Sequence, residues 1–282
     1  MTATPLAPAP APSRRARLIT LARAIGFAGS LAIVAYVAVQ AVKDAPPRDL
    51  DWPLLIPAVV AGLVWWILLA RGWALLMRGR WNFADATVWC RTQALRYLPG
   101  GFWAPASRLA VAEGGAADRL RTVAAENVGA LVAGLAIGGA GLAAAGRLAY
   151  APLVLVIVAP VVLVRMRLLP PGAPSTVPTY VAAFAGYAVA AVLAQAAVSG
   201  FEDSLLVAGA ACIAWAAGLV VVIAPSGLGV REVVFVGLLA GALGEGEPAA
   251  GAVVLRLVTI AAELLVLVAS VQSVRRSGAP SH

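Results

Sequence analysis

Two short segments hold the residues best suited to chemistry. The first reads Arg96-Tyr97-Leu98-Pro99-Gly100-Gly101-Phe102-Trp103 and is followed by Arg108. The second reads Pro225-Ser226-Gly227-Leu228-Gly229-Val230-Arg231-Glu232. Proline removes a backbone donor and breaks a helix, and glycine lets backbone approach a ligand closely. A broken helix presents amide N–H groups at a half-helix N-terminus, where the dipole attracts anions. An arginine beside each break adds a guanidinium able to clamp a phosphate with two hydrogen bonds. The competing reading of either segment is a cytoplasmic turn bordered by arginines that only mark membrane orientation.

Three further charges fall inside apolar runs: Glu126, Arg256 and Glu263. Each costs roughly 2.5–3.5 kcal/mol to insert at a bilayer centre, so it must point into a bundle and find a partner. Arg256 and Glu263 are seven residues apart and share one helix face. A buried ion-pair network that fixes helix packing would account for all three. In the functional reading, Arg96, Arg231 and Arg256 face an anionic headgroup, and Glu126, Glu232 and Glu263 balance them. No metal or cofactor is expected. The single histidine is His282, Cys90 and Cys212 lie in or beside apolar stretches, and Asp49-Leu50-Asp51 reads as a solvated loop. A membrane transferase would have to draw its base from Glu126, Glu232, Glu263 or a loop carboxylate.

The elements that must position these residues follow from the composition. The 282 residues are 62% hydrophobic and 12% charged, with a mean hydropathy of +0.91. Soluble domains keep about a quarter of their residues charged, so this chain is built for lipid. The expected fold is all-α, a polytopic membrane protein of about eight transmembrane helices with re-entrant or broken helices at Pro99–Gly101 and Pro225–Gly229. The candidate spans are Leu21–Val42, Pro53–Met77, Thr122–Ala145, Leu148–Val164, Thr179–Val198, Ser204–Ile223 and Ala249–Val271, with the shorter Val230–Leu243 counted as an eighth. Ala84–Leu98 carries Arg91, Gln93 and Arg96 and is too polar to face lipid, so it reads as a re-entrant or interfacial helix. Glycines 134, 138, 139 and 141 suit close helix packing. The tryptophans at 52, 65, 66, 73, 81 and 89 suggest an interfacial belt.

Net charge is +8, and all but one of the 21 basic residues are arginine. Arg14, Arg15, Arg17 and Arg23 place the N-terminus in the cytoplasm, as do Arg275 and Arg276 for the C-terminus. Arg78, Arg80, Arg119, Arg121, Arg165 and Arg167 fall on the same side, and the acidic loops around Glu202–Asp203 and Glu245–Glu247 fall outside. Only Arg147 breaks the pattern. Residues 1–17 read as a disordered cytoplasmic tail, 18–274 as one transmembrane domain and 275–282 as a second tail. The expected location is a bacterial-type inner membrane.

At the two Pro-Gly motifs the chain resembles the lysylphosphatidylglycerol synthase transmembrane region family, also called flippase-like membrane proteins. The resemblance spans roughly residues 20–275. It is carried by Arg96 through Gly101, Trp103, Arg108, Pro225 through Glu232, and Arg256. The family tends to place glycine where Ser226 stands, and Glu-Arg where Glu126-Asn127 stands. The resemblance implies a domain that moves or handles lipids, whose cytosolic synthase part is absent here, so no enzymatic activity is expected. The substrate-binding set is then Arg96, Pro99, Gly100, Gly101, Trp103, Arg108, Glu126, Pro225, Gly227, Gly229, Arg231, Glu232, Arg256 and Glu263. The implied partners are membrane lipids: an anionic or aminoacylated phospholipid, or a polyprenyl phosphate. The alternative is a non-catalytic membrane partner of a separately encoded synthase or glycosyltransferase. No nucleic acid partner is expected.

Overall fold

The computed structural model describes residues 50–97, 103–112, 115–147, 176–221 and 225–276. The N-terminal tail, residues 277–282 of the expected C-terminal tail, the expected spans Leu21–Val42 and Leu148–Val164, and the Pro99–Gly101 break lie outside these residues, whereas Arg275 and Arg276 still belong to the last helix. Within them the fold is all-helical. The helices are α1 (Trp52–Arg78), α2 (Phe83–Gln93), α3 (Trp103–Val111), α4 (Ala116–Ala144), α5 (Val177–Ser199), α6 (Ser204–Val220), α7 (Val230–Leu239) and α8 (Glu247–Arg276). Two 3-10 turns, Ala94–Tyr97 and Pro225–Gly227, follow α2 and precede α7.

Local chemistry sets the ends of these helices. Pro53 in the first turn of α1 needs no helical N–H partner, and Gly79 ends the helix in a left-handed conformation at φ 68°. Asn82 starts α2 by accepting hydrogen bonds from the amides of Ala84 and Asp85 at 2.8 and 3.2 Å. Arg78 reaches across that corner to Asp85 at 2.6 Å. The chain therefore reverses tightly between α1 and α2 and lays α2 back along α1.

Four helices, α1, α4, α5 and α8, are long and apolar enough to cross a membrane. α1 shows why lipid suits them. It buries Ala58, Trp65, Trp66, Leu69 and Trp73, yet its opposite face exposes Ile56, Val60, Val64 and Ile67. A helix apolar on both faces is suited to a hydrocarbon surround rather than to an aqueous surface. α6, within the expected span Ser204–Ile223, is a shorter apolar helix of 17 residues.

The expected crossing Val230–Leu243 is not one. Its helix stops at Leu239 after 10 residues, about 15 Å at 1.5 Å per residue, against a hydrocarbon core of about 30 Å. Gly241 turns the chain at φ 75°, and the glycine-rich segment to Gly246 leads directly into α8. Instead, α7 folds back on α6. Gly218 meets Arg231 beside the turn, and further along Ala211 and Ala214 share a cavity wall with Phe235.

The core brings α1, α5 and α6 together around aromatic rings. Trp65 and Tyr187 lie 4.7 Å apart between centroids, and Phe184 and Trp215 lie 4.6 Å apart. Most of the tryptophans expected to form an interfacial belt lie in this core instead. Trp52 and Trp81 are exposed, whereas Trp65, Trp66, Trp73 and Trp89 are buried. Trp66 and Trp73 are seven residues apart and Trp65 lies beside them, so α1 turns all three inward.

The glycine stripe on α4 does set close packing. Gly134 sits under the Phe184 ring, Gly138 against Ile213, and Gly141 against Gly209 of α6. A Cβ built on Gly141 would lie 2.8 Å from the Cα and amide nitrogen of Gly209. Neither backbone can yield as a side-chain tip would. Gly141→Leu is therefore expected to force α4 and α6 apart and destabilise the protein by about 1–3 kcal/mol or more. Thermal unfolding of the purified protein in detergent measures this, and an unchanged midpoint would show that the helices tolerate separation.

Candidate functional site

The two motifs meet in one cavity. Its volume is about 120 Å³, and its wall includes Arg96 from the first 3-10 turn, Arg108 from α3, Glu126 from α4 and Arg231 from α7. Ser226, Gly227 and Gly218 close one side, and Trp65, Trp66, Trp89 and Trp215 supply the aromatic surface. A second cavity of about 30 Å³ lies on the other side of Arg231, against Glu232, Arg256, Tyr187 and Thr259. Arg231 thus lines both.

The charges form three pairs. Arg108 Nε lies 3.0 Å from Glu126 Oε2, both side chains being almost fully buried, and Trp89 Nε1–H donates to Glu126 Oε1 at 2.7 Å. Arg96 donates to Glu263 at 2.6 Å and stacks 4.7 Å over the Trp66 ring. Arg256 lies 4.0 Å from Glu232 Oε1 and donates to the Ser226 hydroxyl at 3.5 Å. Glu232 also accepts the Gly229 amide at 2.8 Å through Oε2. It thereby occupies an N–H at the start of α7 that the broken helix was expected to offer a ligand. As expected from the spacing of seven, Arg256 and Glu263 point inward together. Through them α8 reaches both motifs, one through Ser226 and Glu232, the other through Arg96.

Arg231 is different. No carboxylate pairs with it among the described residues. Its guanidinium instead rests 5.5 Å over the Trp215 ring. Two glycines make room for its side chain. A Cβ on Gly218 would lie 2.5 Å from Arg231 Cγ, and one on Gly227 would lie 2.8 Å from Arg231 Nε. Gly227 and Ser226 both adopt positive φ, 66° and 54°. A left-handed residue other than glycine costs about 1–2 kcal/mol, so the turn holds Ser226 in a strained conformation where its hydroxyl meets Arg256.

Of the residues expected from sequence, Arg96, Arg108, Glu126, Gly227 and Arg231 line the larger cavity, and Glu232 and Arg256 the smaller one. Glu263 stands behind Arg96. Gly229 is buried beneath α7, and Pro225 opens the second turn. Trp103 is 37% exposed at the start of α3 and is not part of either wall. Pro99, Gly100 and Gly101 lie outside the described residues. Sequence reasoning missed Gly218 and the four cavity tryptophans. The adjacent Trp65 and Trp66 in an apolar helix were the one available signal, and they read equally as ordinary core. Asn127, flagged as a departure from the family pattern, gives its amide to Val123 of its own helix at 2.8 Å and lines the cavity.

Comparison with models of known families, with curated proteins and with solved structures finds no match to this chain.

Proposed function

We propose that the chain is a multi-pass membrane protein that binds the phosphate of a phospholipid or lipid-phosphate headgroup between its two Pro-Gly motifs and moves that lipid across the membrane. Arg231 carries this reading. Around the two cavities stand four arginines and three glutamates, and the three glutamates are taken by Arg96, Arg108 and Arg256. Among the described residues, one partly buried positive charge, Arg231, is left without an ion pair at the cavity. Burying a charge is costly unless it is paired, so a site of this kind favours an anion. A cavity of about 120 Å³ is below the roughly 300–1,000 Å³ of pockets that enclose drug-sized ligands. It fits a headgroup and leaves acyl chains in the membrane. Alternating exposure of this site to the two membrane faces would carry the headgroup through.

The test is translocation of fluorescent phospholipid in vesicles reconstituted with equal amounts of each protein. Wild type is expected to exceed protein-free vesicles, and Arg231→Ala to slow the flipping. Equal rates for wild type and variant would remove Arg231 from the mechanism. Wild-type vesicles no faster than protein-free ones would sink the translocator reading.

A further inference from the structure

The larger cavity is unusual in what its wall lacks. Trp65, Trp66 and Trp215 bury their indole Nε1–H groups without an acceptor among the described residues, and so do Arg108 Nη1 and Arg231 Nε. All five donors belong to residues of this one wall. Trp65 and Trp66 are 1% and 2% exposed, so bulk water does not serve them. Buried donors are nearly always paired in native structures, and each one left unpaired costs about 1–3 kcal/mol. Five such donors gather among the residues of one wall.

The one carboxylate among the described residues of the same wall is already paired. Glu126 accepts from Trp89 through Oε1, and its Oε2 lies 3.0 Å from Arg108 Nε in an ion pair. Gln93 and Asn127 are the neutral amides of the wall. An amide oxygen can take a hydroxyl but cannot neutralise an ammonium.

We infer that the cavity is a donor-rich, cationic cradle for a phosphate oxyanion that carries no ammonium group, so that it takes anionic headgroups and refuses amine-bearing ones. This rests on the cavity being the headgroup site. A phosphate brings several acceptor oxygens and a negative charge, which answer the indoles and Arg231 together. An ammonium brings only donors. It would meet unpaired N–H groups and three guanidiniums, and specificity of this kind comes as much from repulsion as from attraction.

Because four tryptophans line the site, intrinsic tryptophan fluorescence of the detergent-solubilised protein reports binding directly. Titrations with inorganic phosphate, glycerol phosphate and phosphoethanolamine separate the oxyanion from the ammonium. Phosphate and glycerol phosphate are expected to change the emission, with phosphoethanolamine at least tenfold weaker. Trp215→Phe removes one donor and no charge, and is expected to weaken glycerol phosphate severalfold while circular dichroism stays unchanged. Phosphoethanolamine binding as tightly as glycerol phosphate would overturn the inference and leave the headgroup site standing. Unchanged affinity in Trp215→Phe would overturn the role of the indole donors. Competition by phosphatidylglycerol in nanodiscs, but not by phosphatidylcholine, identifies the lipid as the source of the oxyanion and supports the inference. Binding of inorganic phosphate without competition from lipid keeps the oxyanion cradle and sinks the translocator reading. No response to any of these anions overturns both.

Discussion

Glu126→Leu is expected to destabilise the protein by about 3–5 kcal/mol, the cost of leaving one member of a buried ion pair alone. Arg108 is 3% exposed, and Glu126 is its one carboxylate partner among the described residues. The substitution also strands the Trp89 indole N–H, which now donates at 2.7 Å. Removing both charges should behave differently. In Arg108→Met combined with Glu126→Leu nothing charged remains to be desolvated, and replacing a buried pair by apolar side chains of similar size is often neutral or stabilising. Thermal unfolding in detergent should therefore show a large drop for the single variant and recovery of most of it in the double. A double variant as unstable as Glu126→Leu would mean that the residues hold the fold through something other than their mutual charge. Lipid transport separates the structural role from the binding role, since a stable double variant would have lost Arg108 from the cavity.

The largest functional loss is expected where the chain shapes the space for Arg231. Losing a hydrogen bond to a charged partner costs roughly 1.5–3 kcal/mol, so Arg231→Ala should reduce headgroup binding and transport by about ten- to hundredfold. Gly218→Ala is expected to match it without touching a charge. A methyl on Gly218 would stand 2.5 Å from Arg231 Cγ and 2.6 Å from its Nε, so the side chain must leave its place over Trp215. The three atoms nearest that methyl all belong to the Arg231 side chain. Alanine is also favoured over glycine within a helix by up to about 1 kcal/mol, so the melting temperature should stay close to that of wild type. The two substitutions act through one side chain, and the double variant should be no worse than Arg231→Ala alone. Flipping at the wild-type rate in Gly218→Ala, or losses that simply add, would show that the slot does not govern Arg231.

The broad architecture was legible because it depends on composition and local spacing. Apolar runs of about 20 residues become helices able to cross a membrane, and α1, α4, α5 and α8 appear within a few residues of where the runs begin and end. The inward face shared by Arg256 and Glu263 follows from helical periodicity, and the glycine face of α4 from the size of its residues. Val230–Leu243 was misread because an apolar run shows composition and not where a helix stops. Its last residues form a glycine turn, which charge-sign bookkeeping along the loops could not detect.

By itself the sequence determined that this is a chain of apolar helices interrupted by two Pro-Gly motifs, with a few charges too costly to leave unpaired in hydrocarbon. Only the tertiary structure decided which charge meets which. Arg96 finds Glu263 across 167 residues of chain, and no local pattern encodes a contact at that separation. The same holds for the tryptophans, since burial in a shared cavity and exposure at an interface use the same residue on the same kind of helix. Among the described residues the fold pairs three arginines with three glutamates and leaves Arg231 over an aromatic face without an ion pair. Which cation remains unmatched depends on how the helices pack, and the case for an anion-binding site rests on that outcome.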